Sequence, residues 1–287
     1  MSIYLPFASK KHKKRWRGLL QCFNNLLMVS IVIFLTACSS ISPEKPLRIH
    51  TQNSHSVRVG TYNVFTGSHD RARTVKAIRR MNADVLLLQE LSPQGSKSLN
   101  HALKLDFRYR HFFQGVAILS RYPLRNPRYE QSQHGINGFL FSEIHSPGGR
   151  FQVASLHLDP LRVWTTREKW SLPMQLMGGQ DDVHRREVRQ IIKSLRTDIP
   201  TILAGDFNSV SGAPIRQLQE LGYTDSFAKV NQRPNQTPTL HFKLFGFHTG
   251  RRIDYILHDS SFQTMQSHVL PGAPSDHDLV VSVLGWK

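Results

Sequence analysis

The sequence predicts an α/β fold in which two β-sheets pack face to face and carry helices on their outer sides. Two observations lead there. Short apolar runs such as Val85-Leu86-Leu87-Leu88 and Ile199-Pro200-Thr201-Ile202-Leu203-Ala204 read as strands covered on both faces. These runs also outnumber the amphipathic segments between them, so several strands follow one another directly, as in stacked sheets.

In chain order, Val57 to Val64 is strand-like. Ala72, Val75, Ile78 and Met81 then mark the inner stripe of a helix whose wet side carries Arg73, Arg79 and Arg80. Further strands are expected at Val85–Leu88, Gly115–Leu119, Phe139–Ile144 and Phe151–Leu158. Val188, Ile191, Ile192 and Leu195 mark a second helix, with Arg185, Arg186 and Arg189 outward. Strands at Ile199–Ala204, Ile253–Leu257 and Leu279–Leu284 complete the set. One long connection, Pro160 to Asp182, holds Trp164, Trp170, Leu172, Met174, Leu176 and Met177. Lengthy connections in compact domains are usually functional or disordered.

The first residues read as an export signal. Lys10, Lys11, Lys13, Lys14, Arg15 and Arg17 precede an apolar run of 12 residues, Leu26 to Ala37, interrupted only by Ser30. That is short for a bilayer span and right for a signal core. It ends in Leu35-Thr36-Ala37-Cys38, which resembles the lipobox of bacterial lipoproteins, where the cysteine is acylated and becomes the new N-terminus. An uncleaved anchor or an ordinary signal is the plainer alternative. The expected organisation is a signal over residues 1–37, a tether over 38–55 and one domain over 56–287. Ser39 after the cysteine favours the outer membrane of the bacterial envelope in that family.

Composition narrows the chemistry. Of two cysteines, Cys22 leaves with the signal and Cys38 carries lipid, so thiolate catalysis, disulfides and cysteine zinc sites are excluded from the domain. Six of the 37 Lys and Arg lie in the signal, leaving 31 against 20 Asp and Glu, a net +11. A domain this basic suits polyanionic partners such as nucleic acid or anionic lipid heads, although charge alone also serves solubility.

Polar side chains stand where the apolar runs end: Asn63, Glu90, His157, Asp159, Asp206, Asn208, Asp254, Asp276, His277 and Asp278. Gly205-Asp206-Phe207-Asn208 is the most telling, because strand side chains two apart point the same way and would bring a carboxylate and an amide to one site. The ordered set Asn63, Glu90, His157, Asp206-Asn208, Asp254 and Asp276-His277, with the run Gly115-Val116-Ala117-Ile118-Leu119-Ser120, resembles the endonuclease/exonuclease/phosphatase superfamily. Pancreatic deoxyribonuclease, abasic-site endonucleases, bacterial sphingomyelinases and inositol-polyphosphate 5-phosphatases belong to it. The resemblance runs from about Val57 to Leu284. It implies a four-layer sandwich of two mainly antiparallel or mixed sheets flanked by helices, and divalent-metal-dependent hydrolysis of phosphate esters.

A phosphodiester is anionic and repels hydroxide, so hydrolysis needs positive charge on the phosphate, an oriented water and help for the leaving oxygen. Glu90 is the expected ligand of Mg²⁺ or Mn²⁺, with Asn63 and Asp276 supporting it. Asp206 would position or deprotonate the water and Asn208 would fix it. His277 would pair with Asp254, and His157 would hold a phosphate oxygen. Asp278 reads as a turn residue and Tyr255 as packing. A monomer is expected.

The substrate divides the motifs. Val64-Phe65 after Asn63, Leu91-Ser92 after Glu90, and Ser155-Leu156-His157 in the middle strand depart from the abasic-site enzymes and approach the deoxyribonuclease, sphingomyelinase and phosphatase branches. The first reading is an exported nuclease. A phospholipid or sphingomyelin phosphodiesterase, or an inositol-phosphate-type phosphatase, is the alternative; a binding protein that only kept the fold is the third.

Overall fold

The computed structural model describes residues 55–66, 70–160, 180–244 and 247–287. The expected signal and nearly all of the tether lie outside them, as do Cys38 and the Trp- and Met-bearing part of the 160–182 connection.

The strands in chain order begin with β1 (Ser56–Asn63), β2 (Val85–Gln89), β3 (Tyr109–Phe113) and β4 (Val116–Ser120). Next come β5 (Leu124–Gln131), β6 (Gly138–Ser146), β7 (Gly149–His157), β8 (Thr201–Asp206) and β9 (Thr224–Asp225). The chain closes with β10 (Leu240–Leu244), β11 (Phe247–Arg251), β12 (Asp254–His258), β13 (Phe262–Leu270) and β14 (Leu279–Trp286). The helices are α1 (Arg71–Met81), α2 (Pro93–Ala102), α3 (Asp181–Ser194), α4 (Ala213–Glu220) and α5 (Ser226–Val230).

Two mixed six-stranded sheets form, in the orders β13-β14-β1-β2-β4-β3 and β5-β6-β7-β8-β12-β9, with β10-β11 as a separate hairpin. Within each sheet one pair is parallel, β1 with β2 and β7 with β8. The strands' double burial follows from alternation of side chains between faces. Val85 and Leu87 join Ile202 and Ala204 in the core between the sheets. Leu86 and Leu88 turn the other way, onto Ile78 and Met81 of α1 and Leu99 of α2. Leu203 turns outward onto Val188 and Ile191 of α3 and Leu218 of α4. Three cores separate four layers, as the resemblance implied.

Several details differ from the sequence reading. The inner stripe of α1 is Thr74, Ala77, Ile78 and Met81, while Ala72 is exposed. The helix starts at its Asp70 cap, one residue before Arg71, and this sets the phase of its face. On α3, Leu195 is the C-cap, and buried His184 and Glu187 complete the inner face. The arginines named for both helices do face out. Strand β5 went unread because it is a half-exposed edge strand bulged around Asn126 and Pro127.

Topology also sets where chemistry collects. The parallel pairs β1/β2 and β7/β8 end at the same edge, and the antiparallel neighbours β14 and β12 begin there. Asn63, Glu90, His157, Asp206, Asp254 and His277 therefore meet at one end of the sandwich.

Candidate active site

Asp206 is the last residue of β8, in register with His157 on one side and Asp254 on the other. The glycine before it is needed for strand approach rather than for a turn. Gly205 takes φ +150°, and a Cβ there would stand 1.9 Å from the Leu156 carbonyl oxygen. The two carboxylate oxygens of Asp206 then separate their tasks. Oδ1 accepts the Asn208 amide N–H at 2.8 Å and closes an Asx-turn. Oδ2 accepts the Asn63 side-chain N–H at 2.9 Å.

Asn63 joins the sheets. The same amide donates to Glu90 Oε1 at 2.9 Å, and its Oδ1 accepts the Phe65 backbone N–H at 3.0 Å. The Phe65 N–H fixes which end of the amide is oxygen. Below these residues, buried Gln89 donates to Thr61 Oγ1 and Ser155 Oγ, both at 3.2 Å, which clamps β2 to β1 and to β7 of the other sheet. This clamp lies one residue before Glu90 and two before Asn63 and His157.

The two histidines approach Asp206 from different strands. His157 Nε2 stands 3.9 Å from Asp206 Oδ2 and 3.7 Å from Glu90 Oε1. Among the described residues this nitrogen is buried and has no hydrogen-bond partner. His277 Nε2 stands 3.8 Å from the same Asp206 oxygen, while its Nδ1 is 2.9 Å from Asp254 Oδ2. A carboxylate at Nδ1 holds that nitrogen as the N–H and turns Nε2 toward Asp206. Thr239 Oγ1 accepts the backbone N–H groups of Ile253 and Asp254, each at 3.0 Å, and so anchors the start of β12.

Burial and charge act in opposite directions here. Burial opposes the charged form of His277, but Asp254 and Asp206 together outweigh it and lift its pKa to about 10. Burial pushes the Asp206 carboxyl up, and the charge of Asp254 adds to that, against the pull of His277 and the hydrogen bonds it accepts. Burial drives the His157 imidazole below its usual range, against the attraction of Glu90. At neutral pH the site thus pairs a cationic His277 with a neutral His157.

Among the described residues, two groups each bring their ligand atoms within 4.8 Å of one another: Glu90, His157 and Asp206, and then Asp206, Asp254 and His277. Oxygen donors with one imidazole fit a hard divalent cation. Glu90 is the set's solvent-accessible carboxylate, and it is held at φ +54°, a left-handed backbone that a non-glycine residue adopts at a cost. Ser92 caps α2, so Glu90 is free of that duty.

Other residues fall outside this cluster. Asn208 takes φ +46°, so the strand stops at Asp206 and the expected period-two alignment of the pair does not extend to it. Its amide N–H goes to the Leu158 carbonyl at 3.1 Å. Asp276 is exposed and belongs to neither ligand set. Asp159 is buried and braces a wall, accepting Ile136 N–H at 3.0 Å and the Gln180 amide at 2.9 Å. Asp278 pairs with His241 at 2.7 Å, and Tyr255 packs edge-on against Phe207. Arg252 pairs with Asp225 and leaves Asp254 to His277. Sequence reasoning missed Gln89, Thr239 and His241. Gln89 showed itself only as the polar residue between the run Val85 to Leu88 and Glu90.

Beside Glu90 and His157 opens a cleft of about 340 Å³, bordered also by Gln114, Val116, Ile136 and Gly138. The family model for the endonuclease/exonuclease/phosphatase family matches residues 60–277. Among curated proteins none matches the chain. Among solved structures, an endonuclease/exonuclease/phosphatase from Beutenbergia cavernae DSM 12333 has TM-score 0.64 at 21% identity, over 81% of this chain and 72% of that one. TDP2 of D. rerio, complexed with single strand DNA product, has TM-score 0.63 at 15% identity, over 80% and 99%. A family protein from Leptotrichia buccalis C-1013-b has TM-score 0.59 at 18% identity, over 80% and 100%. At such identities these likenesses speak for the fold, and the family match covers the site residues from Asn63 to His277. The chain belongs to the endonuclease/exonuclease/phosphatase family, generally one of phosphoester hydrolases.

Proposed function

We propose that this protein is an exported, divalent-metal-dependent phosphodiesterase that cleaves nucleic acid, anchored to the bacterial envelope by lipid on Cys38. The observation that carries the reading is Asp206 Oδ2 between two imidazole nitrogens at 3.8 and 3.9 Å, beside the accessible carboxylate of Glu90. Family membership supports phosphoester hydrolysis, and the net charge of +11 outside the signal supports a polyanionic substrate.

Glu90 would hold Mg²⁺ or Mn²⁺ together with Asp206 and the His157 imidazole, with Asn63 fixing the Glu90 carboxylate. The bound ion supplies positive charge to the phosphate oxygens. Asp206 in its ionised form orients the attacking water and draws a proton from it. Its raised pKa makes it a stronger base than a surface carboxylate. His157 has an uncommitted Nε2 for the ion or for a phosphate oxygen. His277, kept cationic by Asp254, donates from Nε2 toward the charge that builds on phosphate. Asn208 holds the turn that aims Asp206.

The test is paired incubation of the signal-free domain with Mg²⁺ and either plasmid DNA or sphingomyelin vesicles. The nuclease reading expects DNA cleavage that weakens steeply with salt. Full activity in excess chelator would remove the metal from the scheme. A second reading, a lipid phosphodiesterase, draws on Phe247, which is 60% exposed in the hairpin whose other strand reaches Asp278 through His241. Vesicle hydrolysis with intact DNA would establish it instead. For the anchor, palmitate incorporation in a bacterial host should vanish in Cys38→Ala.

A further inference from the structure

We propose that the cleft beside Glu90 and His157 receives one nucleoside of the substrate, with Phe113 and Tyr129 as its stacking platform. This rests on the phosphodiesterase reading and assigns its substrate contact. The cleft measures about 340 Å³. Small-molecule sites span roughly 300–1,000 Å³, so the space suits one nucleoside-sized group.

Its chemistry differs from the rest of this basic surface. The chain has 37 Lys and Arg, yet none borders the cleft among the described residues. Glu90 and His157 are its titratable groups, and they face the phosphate position. The amide of Gln114 offers a donor and an acceptor, and Leu91, Val116 and Ile136 offer apolar faces. A ring carrying further phosphates would meet no cation here. An uncharged, flat group with hydrogen-bonding edges would be matched.

The rim supports the same occupant. Ile136, which borders the cleft, is 70% exposed, and Phe113, 43% exposed, directly precedes the bordering residues Gln114 and Gly115; exposed apolar surface beside a polar site usually marks binding. Phe113 sits directly before the turn residues Gln114 and Gly115, at φ +40° and +83°, and opposite Val116 in the β3–β4 pair. Its ring lies 4.7 Å from that of Tyr129. Tyr129 is fixed in turn by its hydroxyl on Gln131 at 3.0 Å and by Gly138, where a Cβ would strike that hydroxyl. An exposed aromatic held from behind loses little freedom on binding. Any base can stack on such a face.

Two chromogenic diesters separate the possibilities: thymidine 5′-(p-nitrophenyl) phosphate and methyl p-nitrophenyl phosphate, with Mg²⁺, on the signal-free domain. The expected result is a higher kcat/KM for the nucleoside ester, and a preference that falls roughly fivefold or more in Phe113→Ala, given the usual strength of base stacking. Phe113→Tyr should retain it. A preference for p-nitrophenylphosphorylcholine over the nucleoside ester, or equal use of the nucleoside and methyl esters, overturns the assignment while leaving a phosphodiesterase. If no diester is cleaved, binding of thymidylyl-thymidine decides. Binding weakened by Phe113→Ala keeps the cleft assignment without the activity; no binding removes both. Thermal melting of each variant confirms folding.

Discussion

Asp206 and Asp254 lie directly opposite each other across the antiparallel β8–β12 pair, yet only Asp254 is hydrogen-bonded to His277, at 2.9 Å. The two carboxylates thereby take different roles. Asp254 spends its charge on one ring nitrogen, and Asp206 faces the other across an open 3.8 Å.

Asp254→Asn should fold and lose about 10²- to 10⁴-fold in kcat, the usual range for acid–base groups. His277 with a pKa of about 10 is charged at neutral pH, so activity that needs the cation falls as pH rises through about 10. Without the Asp254 charge, burial dominates and that alkaline fall moves to lower pH. A kcat/KM profile with its alkaline limb unmoved would sink the pairing.

Glu90→Gln keeps the hydrogen bond from Asn63 but loses the charge that suits a divalent cation. Its activity should need at least about tenfold more Mg²⁺ for half-saturation, by analogy with losses around metal sites. Unchanged metal dependence would place the ion elsewhere.

Gly205→Ala should destabilise the fold by about 3 kcal/mol or more, since the added carbon meets the Leu156 backbone, which a rotamer change cannot relieve. For a domain of this size that is roughly 6–12 °C in Tm. Calorimetry with a shift under about 2 °C would show that the two strands part more easily than their geometry implies.

Glu187 gives stability a pH dependence. Burial lifts its carboxyl to about 7, while it accepts Asp159 N–H at 3.0 Å and Ser132 O–H at 2.7 Å. A carboxyl raised above its unfolded value contributes stability that is complete below about 4.5 and is lost as pH climbs through about 7. The loss is on the order of 3 kcal/mol between those limits. Urea unfolding at both ends of that range should show a smaller loss in Glu187→Gln than in the wild type, the remainder belonging to the buried Asp206 carboxyl; equal pH dependence in both would assign it to another group.

How much was legible follows from the kind of signal each element carries. Val85-Leu86-Leu87-Leu88 announced a strand buried on both faces, because both faces do meet a core. Strand β5 and the β10–β11 hairpin gave no such signal, since half-exposed edges need no continuous apolar run. The polar residues Asn63, Glu90, His157, Asp206, Asp254 and His277 were each marked by standing at the end of an apolar run. Gln89 stands at the end of such a run too, but the partners that give its amide a purpose, Thr61 and Ser155, are distant in sequence.

The sequence by itself determined the family, the doubly buried central strands and the residue types of the site, because these depend on local patterning and order along the chain. Tertiary structure decided which groups pair. The glycine before Asp206 is required by the Leu156 carbonyl of a neighbouring strand, Asn208 turns away to Leu158, and Asp276 stays in solvent. The first two are fixed by a steric limit and a hydrogen bond between segments far apart in the chain, and no local pattern encodes those distances.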